Sequence, residues 1–262
     1  MAESVMAHGP GMAERMVRRD RAVVLLGIVA MTALAWAYTI HESAAMGDMA
    51  MPHVHPWGMA DFVTMFVMWA VMMVAMMLPS AAPMIVMFAS TGRRRRPEAR
   101  SALPASIFAL AYVVVWAGFS VAATLANWGL HQGGWMTSMS GSAVPAIAGV
   151  LLVGAGLYQL TPLKDVCLTK CRSPLAFLMS EWREGRWGAF VMGVRHGAYC
   201  LACCWALMAL LFVLGVMNLV WIAVLAGIAL IEKVAPRGLW LSRPLGVALA
   251  AWGSWTLATA AI

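Results

Sequence analysis

Residues 57–89 read WGMADFVTMFVMWAVMMVAMMLPSAAPMIVMFA, and Asp61 is the sole charged side chain among them. A helix crosses the hydrocarbon core of a bilayer in about 20 residues. The stretch is therefore a membrane span that overruns one straight crossing. Pro79 and Pro83 are expected to kink it, or to turn its end into an interfacial segment. Six more apolar runs flank it: Ala22–Ile40, Pro104–Leu125, Val144–Leu163, Trp187–Leu214, Leu219–Ile231 and Pro244–Ile262. The run at Leu219 is short unless it continues past Glu232. Gly149, Gly154 and Gly156 suit close helix packing in a membrane.

The composition agrees. Of 262 residues, 63% are hydrophobic and 11% charged, against about 25% charged in a soluble domain. A soluble enzyme, a disordered tail and a disulfide-stapled secreted domain are excluded. The expected fold is an all-α polytopic membrane bundle of about seven transmembrane helices. Residues 1–21 form a cytoplasmic N-terminal tail. Residues 22–262 form a single transmembrane domain, its chemistry concentrated at 158–233. An Ala35-Trp36-Ala37 cleavage pattern lies inside the first run, which argues against a removable signal peptide.

Charge sets the orientation. The net charge is +7, from 18 Lys+Arg against 11 Asp+Glu. All but one of the basic residues fall in the N-terminal segment and in the 90–103, 164–186 and 232–243 loops. The exception, Arg195, lies in the same half of its span. The positive-inside rule puts that side in the cytoplasm, with the C-terminus outside. A bacterial inner membrane is the expected location and the lipid bilayer the expected partner. Nucleic acid is not expected, and the Arg93–Arg96 block reads as a topology anchor.

The chemistry-bearing residues cluster. All five cysteines fall in Cys167-Leu-Thr-Lys-Cys171 and His196-Gly-Ala-Tyr-Cys200-Leu-Ala-Cys203-Cys204. His196, Cys200, Cys203 and Cys204 stand at i, i+4, i+7 and i+8, one face of a helix. Both groups are expected near the reducing cytoplasmic side, where lasting disulfides are disfavoured. The candidate metal ligands are Cys167, Cys171, His196, Cys200, Cys203, Cys204 and Glu232. Thiolates and imidazole favour Cu(I), zinc or iron–sulfur centres, so the expected cofactor is a metal ion, copper first, with zinc or iron as alternatives. Lys164, Lys170, Arg195 and Lys233 would offset thiolate charge. Buried cysteines also serve as plain packing.

The block Tyr158-Gln-Leu-Thr-Pro-Leu-Lys164, Cys167-x-x-x-Cys171-Arg172-Ser-Pro174, Trp182-Arg-x-Gly185, Gly193-x-x-His196-Gly-x-Tyr199-Cys200-x-x-Cys203-Cys204-Trp205, Met217-Asn218 and Glu232-Lys233 resembles the DUF2182 family. That family is described as predicted metal-binding integral membrane proteins. The Met-Met-Leu-Pro79-Ser80-Ala-Ala-Pro83-Met84 segment also resembles its N-terminal signature. The resemblance spans about residues 60 to 235 and implies metal binding without naming the metal or a reaction.

Methionine is abundant, with 23 residues. His41, Glu42, Met46, Asp48, Met49, Met51, His53, His55 and Met59 make a soft-metal collection point at the outer face. Met65, Met68, Met72 and Met76 follow Asp61 along one face of the second span, with Met73 and Met77 beside it. They read either as a relay or as gap filling. His131, Trp135, Met136 and Met139 are a weaker echo.

The expected function is soft-metal handling, above all of copper: uptake, delivery or sensing. The alternatives are a membrane redox enzyme or thiol oxidoreductase that uses the Cys/His cluster, and a structural or assembly subunit of a membrane complex. Expected partners are a metal ion and a metal donor or acceptor protein.

Overall fold

The computed structural model describes residues 12–48, 57–95, 102–136, 142–235 and 238–260. Among these residues the chain is helical almost throughout and has no strand, beyond one isolated bridge between Met136 and Ala143. The helices are α1 (Met12–Asp48), α2 (Met59–Arg95), α3 (Ala102–Gln132), α4 (Pro145–Gln159), α5 (Pro162–Arg172), α6 (Pro174–Glu181), α7 (Gly185–Ala209), α8 (Leu211–Leu214), α9 (Leu219–Val234) and α10 (Gly238–Ala260). The all-α bundle expected from sequence is what forms.

Four segments are long and apolar enough to cross a membrane: Arg18–Ala45, Met59–Arg93, Ala102–Gln132 and Gly185–Leu214. The bent pair Pro145–Gln159 plus Pro162–Arg172 makes five if it counts as one span. The remaining two of the seven expected spans are α9, with 16 residues, and α10; neither meets that measure by itself. Leu26, Val29 and Leu34 on α1 and Val247 and Trp255 on α10 point outward. Side chains so apolar and so exposed are compatible with a multi-pass membrane protein.

Local chemistry explains the breaks. Pro79 and Pro83 lie inside α2, which nevertheless continues as one helix to Arg95, so no separate interfacial segment forms. Each proline removes one N–H from the ladder. The 65° bend after α4 falls at Thr161-Pro162. A residue before proline is pushed out of helical geometry, and Thr161 is extended there, its hydroxyl accepting from the Lys164 N–H at 3.4 Å. Between α8 and α9, Gly215 adopts φ 93°, open to glycine at little cost. The Asn218 side chain then caps α9 by accepting from the Trp221 N–H at 3.4 Å.

Glycine brings α4 and α10 into backbone contact. A Cβ on Gly156 would stand 2.6 Å from the Ala250 nitrogen, and one on Gly253 would stand 2.7 Å from the Val153 nitrogen. Gly149 and Gly246 complete the seam, whereas Gly154 faces open space. Gly193 on α7 likewise sits against the Phe108 carbonyl of α3. Gly193, with Gly197 one turn on, seats α7 closely against α3.

Candidate metal centre

Helical spacing puts His196, Cys200, Cys203 and Cys204 on one buried face of α7, as expected. The surrounding helices decide what each of them meets. Met77 and Ser80 come from α2, Tyr112 from α3, Cys171 from the last turn of α5, and Lys233 from the end of α9. Cys200 lies near the middle of the α7–α8 rod and is 1% exposed.

Lys233 organises the centre. Its Nζ lies 2.9 Å from Cys200 Sγ, 3.7 Å from Cys204 Sγ and 3.6 Å from Met77 Sδ, with Ser80 Oγ at 3.1 Å. Three sulfurs from two helices thus ring one point, and that point holds a cation. Cys204 Sγ and Met77 Sδ are 3.7 Å apart. Two sulfurs bound to one ion at a metal–sulfur distance of about 2.3 Å are separated by about 4 Å. The Tyr112 hydroxyl donates to the Met77 carbonyl at 3.0 Å and lies 3.0 Å from Cys200 Sγ. The Cys203 and Cys204 thiols donate to the Cys200 carbonyl at 3.1 and 2.8 Å.

Cys171 and Cys203 form a second pair, with Sγ atoms 4.0 Å apart. Cys167, one turn earlier on α5, is buried and makes no hydrogen-bond contact with the other cysteines among the described residues. His196 stands in an aromatic cage of Phe108, Tyr112 and Phe177, with ring centroids at 5.9, 5.7 and 5.7 Å. Its Nδ1 is buried without a hydrogen-bond partner. As the side chains stand, no group of three or more His, Cys, Asp or Glu among the described residues is arranged to hold a metal ion. The three-sulfur cup consists of two cysteines and a methionine.

Glu232 belongs to a neighbouring network. Both of its carboxylate oxygens accept from Lys164 Nζ, at 2.7 and 2.8 Å. Ser242 Oγ donates to the same carboxylate at 2.8 Å, and Lys164 also donates to Gln159 Oε1. Lys164 is fully buried, so it is an interior ion-pair partner and not a loop charge. The pair ties α4, α5, α9 and α10 together. Burying ions is costly unless they are paired and hydrogen-bonded. Lys164 has its carboxylate, whereas the groups facing Lys233 are thiols, a thioether and a hydroxyl. A thiolate at Cys200 is the contact able to balance that second buried cation.

The methionines of α2 turn inward. Met65, Met68, Met72, Met73, Met76 and Met77 are all buried, and Met77 reaches the cluster. At the other end, Asp61 accepts from the Gly58 N–H at 2.7 Å, His131 packs on Trp57 at 5.9 Å, and Met59 is exposed. Met49, Met51, His53, His55 and Met139 lie outside the described residues, as do the side chains of Met46 and Asp48. Tyr112 and Ser242 carried no sequence signal beyond a lone hydroxyl in or beside an apolar run.

A family model described as PpoB2, copper chaperone, matches residues 66–256. The match supports a copper-related family and does not carry the DUF2182 label. No curated protein and no solved structure matches the chain significantly.

Proposed function

The chain belongs to the copper-chaperone family PpoB2, and from that premise we propose that it carries Cu(I) within the membrane on the sulfur cup of Cys200, Cys204 and Met77. The observation that carries this reading is the convergence of three sulfurs on one point, at 2.9, 3.7 and 3.6 Å from Lys233 Nζ. Soft thiolate and thioether ligands select Cu(I). Structural zinc prefers four cysteine or histidine ligands in a tetrahedron, and iron–sulfur clusters need four thiolates; the cup offers neither set. Copper is the cargo, and the protein's part is to hold it and release it.

Charge favours the same ion. Cu(I) on two thiolates carries a net charge of −1, which is expensive in a low-dielectric interior. The Lys233 ammonium brings the assembly to neutrality. It yields the central position to the metal and stays within the cluster, with Ser80 as its oxygen partner. Cys171 and Cys203 lie beside the cup as a separate pair, and His196 shares the buried face of α7. Glu232 positions α9 through Lys164, and so places Lys233.

The arrangement in the membrane follows from the basic loops. The N-terminus and the α5–α6 segment face the cytoplasm of a bacterial inner membrane, and the inward-facing methionines of α2 lead from the outer side towards Met77. Delivery to a copper-accepting protein is the function. The test is copper per chain by mass spectrometry on anaerobically purified protein supplied with Cu(I). Near-stoichiometric copper, lost in Cys200→Ser plus Cys204→Ser, supports the reading. Copper retained in that variant contradicts it.

A further inference from the structure

Cu(I) on the cup uses Cys200, Cys204 and Met77. Cys171 and Cys203 are left facing each other across two helices, with their Sγ atoms 4.0 Å apart. Within α7, Cys200 stands three and four positions from Cys203 and Cys204, where Cβ atoms are about 5–6 Å from one another. A disulfide needs Cβ atoms about 3.8 Å apart, so a regular helix holds those cysteines unbridged. Cys171 instead lies in the last turn of a short helix beyond the 65° bend. Bridging there requires the two sulfurs to close from 4.0 Å to about 2.05 Å. Cys171 is also the more open of the two, at 9% exposed against 1% for Cys203.

Copper from an oxidising compartment arrives as Cu(II), which suits nitrogen and oxygen ligands and not a sulfur cup. A reducing step is needed before the cup can hold it. We infer that Cys171 and Cys203 are a dithiol that reduces Cu(II) to Cu(I) beside the carrier site, an inference that rests on the copper-carrying reading above. In the step, two S–H bonds break and one S–S bond forms. The two sulfurs give up two electrons, one to each of two Cu(II) ions, and two protons are released. The products are one Cys171–Cys203 disulfide and two Cu(I). A small thiol of the reducing compartment resets the pair by attacking at Cys171, the less deeply buried sulfur, through a mixed disulfide.

The experiment is an anaerobic titration of the fully reduced, detergent-solubilised protein with Cu(II) sulfate. A chromogenic Cu(I) chelator counts the Cu(I) formed, and mass spectrometry of peptides locates any bridge. Wild type is expected to yield close to two Cu(I) per chain and a Cys171–Cys203 bridge. Cys171→Ser should lower the yield at least tenfold while still binding Cu(I) supplied directly. Cys171→Ala repeats the test without a hydroxyl to bury, and the elution profile of each variant reports its fold. Wild-type yield in folded Cys171→Ser or Cys171→Ala overturns the inference, as does a bridge between other cysteines. Loss of directly supplied Cu(I) in these variants also overturns it, because the pair would then be holding metal. Failure of wild type to bind directly supplied Cu(I) is a different result, and it sinks the carrier reading instead.

Discussion

Lys233 Nζ and Cys200 Sγ lie 2.9 Å apart in the interior of the bundle, the cation held at the end of α9 and the sulfur near the middle of α7. A buried ammonium in contact with a thiol is a charged pair in waiting. On the proposed reading, it balances the charge of the cup with and without copper.

Lys233→Met tests that balance. It keeps the bulk of the side chain and removes the charge. Affinity for Cu(I), measured by competition with a chromogenic chelator, is expected to fall at least tenfold, about 1.4 kcal/mol. Unchanged or tighter binding would show that the ammonium is not the counter-charge.

Met77→Leu removes a thioether and little volume, a swap that costs a packed core less than about 1.5 kcal/mol. The protein should fold, and its Cu(I) affinity should drop severalfold. Met73→Leu, equally buried but outside the three-sulfur cup, is the control and should bind as wild type does. Equal behaviour of the two variants would return Met77 to core filling.

The Lys164–Glu232 pair predicts a stability effect. Glu232→Gln leaves the Lys164 charge buried without its partner, which costs about 3–5 kcal/mol. The loss should appear as a lower thermal midpoint in detergent, and Glu232→Gln with Lys164→Met should recover much of it. If Glu232→Gln lowers copper content while the midpoint stays put, the carboxylate acts on the metal and not on the fold.

The α4–α10 seam gives a packing prediction. Gly156→Ala places a Cβ 2.6 Å from the Ala250 nitrogen. Overpacking of this kind costs about 1–3 kcal/mol. Gly154→Ala, facing open space, should leave the thermal midpoint unchanged or raise it slightly. Equal midpoints for the two variants would mean that the helices do not meet at this face.

Much of this was legible in the sequence. Apolar runs declare membrane-type helices through length and composition alone, and the His196, Cys200, Cys203 and Cys204 spacing declares a shared face because helical periodicity is a local property. The identity of what faces them is not local. Met76 and Met77 are adjacent, and only the packing of α2 against α7 and α9 selects Met77. Lys233 reads as one of four basic residues able to offset thiolate charge, and only the packing of α9 singles it out from Lys164, Lys170 and Arg195. Glu232 reads as a donor until Lys164, a residue 68 positions away, is found beside it. The Thr161-Pro162 break is visible as a dipeptide, yet apolarity alone carries the span on to Leu163. Of three glycines noted on α4, the sequence marks all as small, and the crossing with α10 engages Gly149 and Gly156 but not Gly154.

The most direct test of the central claim is copper X-ray absorption on protein loaded anaerobically with one Cu(I). A Cu(I) edge and a sulfur-only shell of three neighbours are expected, reduced to two in Met77→Leu. Nitrogen or oxygen neighbours in wild type, or a shell unchanged by Met77→Leu, would contradict the cup of Cys200, Cys204 and Met77.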